Sequence, residues 1–337
     1  MSITVTAPMR IDLAGGTLDL HPLYLFLHDP LTVTASISLH SRASVTPLEG
    51  NRVRLVSEDL DQSVEVENTE ELSLGGKLDL LSRAVKFYAP QGGLELRTKS
   101  AAPKGSGLGA SSSLLMSMSK ALGLFSGRDD SIHDIIMYGA GLEAQNLRIP
   151  TGYQDYYGAC LGGINGLEFR VDGHNIRTLY PSAEFFKLLN DSMVVSFTGI
   201  SHFSGTSNWN MLKRYVDQEG DTVKRMEAIE DTAHQMWDAL ICEDLDKVGK
   251  ALDREWQNRR GLAEGVTNDR IDSMVLAAKN AGALASKICG AGGGGCMLTL
   301  SKPENKEKVI EALRSKGADI LDVSIDNEGL KVLENSK

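Results

Sequence analysis

Residues 3–7, 31–38, 53–56 and 94–97 alternate apolar and polar side chains or gather β-branched ones, which is the period of half-buried strands. Residues 78–87 interrupt this rhythm with a helical one. Between 112 and 124, Leu114, Leu115, Met118 and Leu122 form an apolar stripe at helical spacing, and 131–146 read as a second helix. A strand pair follows at 164–170 and 176–180, then a buried strand at 193–197. From 208 to 264 the chain is charged, helix-periodic and free of proline. Met226, Ile229, Ala233, Met236 and Leu240 recur on one face there, as expected of helices packed on a sheet. Residues 296–300 predict a strand and 305–316 a helix. Strands are therefore expected to dominate residues 1–100 and helices 208–264.

The length of 337 residues suits two lobes or one large α/β unit. With 42% hydrophobic and 24% charged residues the composition is that of an ordinary globule. A formal charge of −10 argues against nucleic acid or an anionic membrane as the main partner. No apolar run approaches the roughly 20 residues that cross a bilayer. Cys160, Cys242, Cys289 and Cys296 show no paired metal spacing, and no secretory pattern precedes Ile3, so a reducing cytoplasm is expected. Repeats and low-complexity linkers are absent from the sequence, and composition marks no domain boundary.

The candidate chemistry begins at residues 103–113, PKGSGLGASSS, directly before the stripe of Leu114. Gly105, Gly107 and Gly109 let the backbone turn tightly and approach a ligand. The three serines open a helix, where hydroxyls are expected to cap free N–H groups and the dipole favours an anion. A glycine loop feeding a helix N-terminus is a phosphate cradle. It is not a Walker loop, since Gly75, Gly76 and Lys77 are followed by Leu78, and its spacing does not match the dinucleotide fingerprint. Read alone, the run also fits a purely structural loop.

Residues 99–113, together with 7–19 (APMRIDLAGGTLD) and 287–296 (KICGAGGGGC), resemble the three ordered motifs of the GHMP kinases. The resemblance spans essentially the whole chain. It comes nearest to the sugar 1-kinases of the D-glycero-D-manno-heptose 7-phosphate kinase and fucokinase type. It implies a two-lobed α+β fold, with a lobe resembling the second domain of ribosomal protein S5 in 1–180 and a ferredoxin-like α/β lobe in 181–337. It also implies ATP and Mg²⁺ as cofactors and a small-molecule sugar as the other partner, with a homo-oligomer left open.

A kinase has to position a phosphoryl group, neutralise its charge and deprotonate a hydroxyl. The resemblance assigns the cradle to Lys104, Gly105, Ser106, Gly107, Leu108, Gly109, Ala110, Ser111 and Ser112. It assigns metal binding to Ser111 and Glu143, with Ser112 in place of Ser111 if the register slips by one. Asp155, within GYQDYYGA, becomes the catalytic base. Its neighbours Tyr153, Tyr156 and Tyr157 suggest a partly desolvated carboxylate, and an N-cap aspartate on a short helix fits the same residues. Arg10 becomes the catalytic cation, Asp19 the acceptor for sugar hydroxyls, and Gly16, Thr17, Gly292 and Gly293 further substrate contacts. Residues 198–208, with His202, read as a polar loop that either contacts sugar hydroxyls or a substrate phosphate or is simply exposed to solvent. A mevalonate-type isoprenoid kinase is the enzymatic alternative, although it would carry lysine at position 10 and a more apolar pocket. A non-catalytic sugar sensor is the other alternative, and would be expected to have lost part of the base, metal or cradle set.

Overall fold

The computed structural model describes residues 2–201 and 204–333, with the side chains of 204–207 outside the description. The first lobe runs β1 (Ile3–Ala14), β2 (Leu31–Leu48), β3 (Val53–Ser57), β4 (Gln62–Val66), α1 (Asp79–Tyr88) and β5 (Gly93–Ser100). It continues through α2 (Ala110–Phe125), α3 (Ile132–Leu147), α4 (Gln154–Leu161), β6 (Ile164–Arg170) and β7 (Gly173–Leu179). The second lobe holds α5 (Ala183–Ser192), β8 (Met193–Phe197), α6 (Ser204–Val216), α7 (Thr222–Ile241) and α8 (Leu245–Arg259). Then come α9 (Asp269–Asn280), β9 (Ala283–Ile288), β10 (Cys296–Ser301), α10 (Lys306–Ser315), β11 (Asp319–Leu321) and finally β12 (Lys331–Leu333). The fold is α+β in two lobes.

β2 extends well past the expected run because it serves two neighbours. Its first residues pair with β6, from Leu31 opposite Glu168, and its last with β5, through Leu48 opposite Gly93. β1 lies antiparallel along its other edge, from Ile3 opposite Val45 to Ala14 opposite Val33. The resulting sheet has the order β12-β1-β2-β5-β3-β4, with β6 and β7 branching from β2. β8 to β11 make a separate antiparallel sheet of order β11-β8-β10-β9. Leu115, Met118 and Leu122 of α2 are buried in the core beneath the first sheet, as their spacing predicted. Met236 and Leu240 of α7 lie in the core between the lobes, with Ile11, Val33, Val195 and Leu298.

The pairing does not divide the chain cleanly near 180. β12 returns to the first sheet, where Leu333 faces Thr4, so the segment after β11 belongs to both lobes. The loop expected over 198–208 is helical from Ser204, and His202 lies outside the described residues. Among the described residues no helix is long and apolar enough to cross a membrane.

Candidate active site

The cradle is shaped by three left-handed glycines, with φ of +69° at Gly105, +70° at Gly107 and +72° at Gly109, a region open to glycine at little cost. Gly109 is the N-cap of α2. The hydroxyls do not cap this helix as expected. Ser112 Oγ donates to Glu143 Oε2 at 2.7 Å and Ser113 Oγ to the Ala7 carbonyl at 2.8 Å, because both side chains are buried and find partners across the lobe. The first turn is thus left without a side-chain cap, next to the exposed Ser111.

The glycine run of the third motif locks onto this loop. The Cys296 N–H donates to the Ser106 carbonyl at 2.6 Å, and a Cβ on Gly107 would lie 2.6 Å from the Cys289 carbonyl. Gly292 and Gly293 sit further round, where Gly293 N–H donates to the Val266 carbonyl at 2.7 Å. Lys104 is exposed, and its carbonyl accepts from Ser201 Oγ at 2.9 Å.

Arg10 joins the first two motifs. Its Nε donates to Asp155 Oδ1 at 2.7 Å, its Nη2 lies 2.5 Å from the same oxygen, and its Nη1 donates to the Gly107 carbonyl at 2.6 Å. Burial alone would lower the guanidinium pKa, but the charges of Asp155 and Asp12 outweigh it and hold Arg10 above its ordinary value. Asp155 stands in the first turn of α4 with its side chain 27% exposed, whereas Asp12, Asp19 and Glu143 are 3% exposed or less. The expected tyrosine wall is absent. The Tyr156 hydroxyl donates to Glu143 Oε2 at 2.6 Å, Tyr157 pairs with His174 at 2.9 Å, and the Tyr153 ring stacks on Phe169. Successive helical residues point about 100° apart, so neighbours in sequence leave the aspartate on different faces.

Glu143, on α3, lies in a cage of hydroxyls. Burial raises its pKa, opposed by hydrogen bonds from Ser111, Tyr156 and Ser112. One turn along the same helix, Asn146 and Arg148 line an open pocket of about 350 Å³ with Leu74, Gly75, Gly76, Asp79 and Arg83.

Asp19, expected on the sugar side, is walled in. Its Oδ2 accepts the Gln154 N–H at 2.9 Å, and a Cβ on Gly152 would lie 2.2 Å from that oxygen. Burial pushes the Asp19 carboxyl up to about 6. Gly16 and Thr17 are also enclosed, bound by Arg259 through the Gly16 carbonyl and the Thr17 hydroxyl.

Sequence reasoning missed a buried quartet beside these residues, made of Asp12, Glu255, Arg259 and Lys287, all fully buried. Lys287 Nζ donates to Asp12 Oδ2 at 2.6 Å, and Asp12 Oδ1 accepts the Gly290 N–H at 3.1 Å. Arg259 Nε donates to Glu255 Oε1 at 3.0 Å. Burial works against the charged form of Asp12, but Lys287, Arg259 and Arg10 hold its pKa below the usual value. Asp12 could have been found from its place two residues after Arg10, on the same face of β1. Arg259 gave no such signal, because a Glu and an Arg four apart on a charged helix resemble a solvated pair.

Two family models match the chain: GHMP kinases N terminal domain at residues 78–163, and GHMP kinases C terminal at 228–319. The D-glycero-alpha-D-manno-heptose 7-phosphate kinase of Campylobacter jejuni is 29% identical over 98% of both chains. The mevalonate kinase of Pyrococcus furiosus is 24% identical over 99% of both. Among solved structures, a D-glycero-D-manno-heptose 1-phosphate kinase from Bacteriodes thetaiotaomicron superposes with a TM-score of 0.81 at 22% identity, covering 99% of this chain and 100% of that one.

Proposed function

The chain belongs to the GHMP kinases, and from that premise we propose that it transfers the γ-phosphate of ATP to a hydroxyl of a sugar or sugar phosphate, the anomeric C1 hydroxyl of a heptose 7-phosphate-like acceptor. One observation carries the reading. Asp155 is the open carboxylate among those of the site, with one oxygen tied to Arg10 and the other turned toward Gly109, 3.4 Å from where a Cβ would stand. A hydroxyl entering beside the cradle therefore meets an acceptor oxygen at the mouth of the helix that would hold the phosphates. Asp155 accepts the proton of that hydroxyl, and Arg10 keeps the carboxylate oriented while its charge offsets negative charge developing on the sugar oxygen. The uncapped N–H groups of α2 and the carbonyl-locked turn at Gly107 receive the phosphates. The pocket between α1 and α3 is where the nucleoside would extend from them.

Mg²⁺ fits the residues at hand. Glu143, Ser111 and Ser112 offer only hard oxygen donors, and a buried carboxylate whose pKa is raised is stabilised by a cation. When bound, the ion would neutralise phosphate charge. The intact base, cation and cradle speak against a sugar sensor. Arg10 at the first-motif position, and the closer full-length match to a heptose kinase than to a mevalonate kinase, speak against the isoprenoid alternative.

The test is ADP release with a panel of free sugars, sugar phosphates and mevalonate, with the product's phosphate located by NMR. Turnover of a sugar or sugar phosphate with phosphorus on C1 is expected. Phosphorylation of mevalonate alone would place the chain in the other branch.

A further inference from the structure

Thr17 has a φ of +77°. A β-branched side chain is costly in this left-handed region and persists only where its surroundings over-determine the conformation. Thr32 Oγ1 donates to the Gly15 carbonyl at 2.8 Å and Thr17 Oγ1 to Met211 Sδ at 3.7 Å, and among the described residues the one charged group on the turn is the guanidinium of Arg259. Arg259 Nη1 donates to Thr17 Oγ1 at 3.1 Å and to the Gly290 carbonyl at 3.4 Å, while Nη2 donates to the Gly16 carbonyl. Glu255 Oε1 accepts from Nε and Nη2 of the same arginine, which fixes the plane of the fork. Two residues beyond Thr17, the Asp19 carboxylate receives the Gln154 N–H, the first residue of α4. Asp155 is the next residue of that helix. Leu20 and Gly152 form a β-bridge beside this contact, a second link between the turn and the start of α4.

We propose that Arg259 is a positioning residue for phosphoryl transfer: it holds the strained Gly16–Thr17 turn, which braces the first turn of α4 through Asp19 and so sets the place of Asp155. The base is then held from two sides, by Arg10 on its own oxygen and by Arg259 through the backbone. Because Arg259 ends α8 in the second lobe, the base is placed only when that helix is docked on the first. A glycine at 17 would adopt the turn without that strain. Threonine carries the strain of the left-handed backbone, which the bonds from Arg259 help to offset. This role rests on the reading of Asp155 as the base.

The experiment compares Arg259→Gln with Arg259→Gln/Thr17→Gly, following kcat, both KM values and thermal melting. Arg259→Gln is expected to lower kcat about 10–100-fold with ATP KM changed less than roughly threefold, as for a displaced catalytic group. Adding Thr17→Gly should return roughly tenfold of that loss, since glycine adopts the turn without the clamp. A merely structural arginine would show no such rescue. A folded Arg259→Gln enzyme with wild-type kcat, or one that Thr17→Gly leaves unimproved, overturns the proposal. Should Arg259→Gln not fold, Glu255→Gln/Arg259→Gln removes both charges together and is tested with and without Thr17→Gly by the same criterion. Asp155→Asn, run in parallel, separates the two readings. If it keeps wild-type turnover, the base assignment falls and this role of Arg259 with it. If it is inactive while the rescue fails, only Arg259 is refuted.

Discussion

Asp155 and Glu143 are carboxylates on adjacent helices of one cleft, and their surroundings differ. Asp155 is partly open and shares one oxygen with a buried arginine. Glu143 is shut away, and the groups around it are hydroxyls with no opposing charge among its hydrogen-bond partners. A carboxylate that keeps an oxygen in the open beside a fixed cation can take a proton from an incoming hydroxyl. One whose charge is opposed by burial, with hydroxyls alone around it, would be stabilised by a cation. On the proposed reading, the same residue class is set to two roles by what surrounds it.

Breaking Asp155 should cost most. Asp155→Asn is expected to lower kcat by about 10²–10⁴ with ATP affinity nearly unchanged, read from steady-state kinetics and calorimetric ATP binding. Glu143→Gln comes next. Loss of a metal-holding carboxylate should raise the Mg²⁺ concentration for half-maximal rate by about 10–100-fold, and a titration of rate against Mg²⁺ at fixed ATP checks it. Unchanged Mg²⁺ dependence would remove the contrast between the two acids.

Asp19→Asn sharpens the comparison by adding a third carboxylate that is neither open nor caged. As a brace on α4 it should affect kcat more than sugar KM. The reverse pattern would mean that Asp19 meets the sugar directly. Its pKa of about 6 in the folded chain lies above its ordinary 3.8, so the folded state binds the proton more tightly. Its contribution to stability is therefore complete below the lower value and is lost as pH rises through about 6. Urea midpoints at pH 4 and pH 7 should show that part of the decline in the wild type and not in Asp19→Asn. The smallest effect is expected from Tyr156→Phe, which removes one hydroxyl from the Glu143 cage. It should cost about 1 kcal/mol of stability, measured by urea unfolding, and change kcat by only a few-fold.

Much of this was legible because period and glycine spacing are local signals. The stripe of Leu115, Met118 and Leu122 declared α2, and the glycines ahead of it declared the left-handed turns that lead into it. Arg10 and Asp155 came from motif resemblance, and they do meet. What failed to read was orientation. The tyrosines beside Asp155 are neighbours in the chain but leave a helix in different directions, and Asp19 lies in the wall where lining was expected. Sequence does not separate wall from lining, since a carboxylate holding a backbone N–H and one holding a sugar hydroxyl have the same spelling. Arg259 and Glu255 were hidden by their i,i+4 spacing. β12 went unseen because three residues are too few to show a period.

The pairing of β12 with β1 also bears on how the molecule comes to be folded. Thr4 meets Leu333, a contact between positions at opposite extremes of the described chain. Closing so long a loop is entropically slow, and in vectorial synthesis the partner strand emerges long after β1 has left the ribosome. β1 carries both Arg10 and Asp12, so the strand that anchors the site is flanked by one from the far end of the described chain. During synthesis its outer edge stays open to mispairing until that strand arrives.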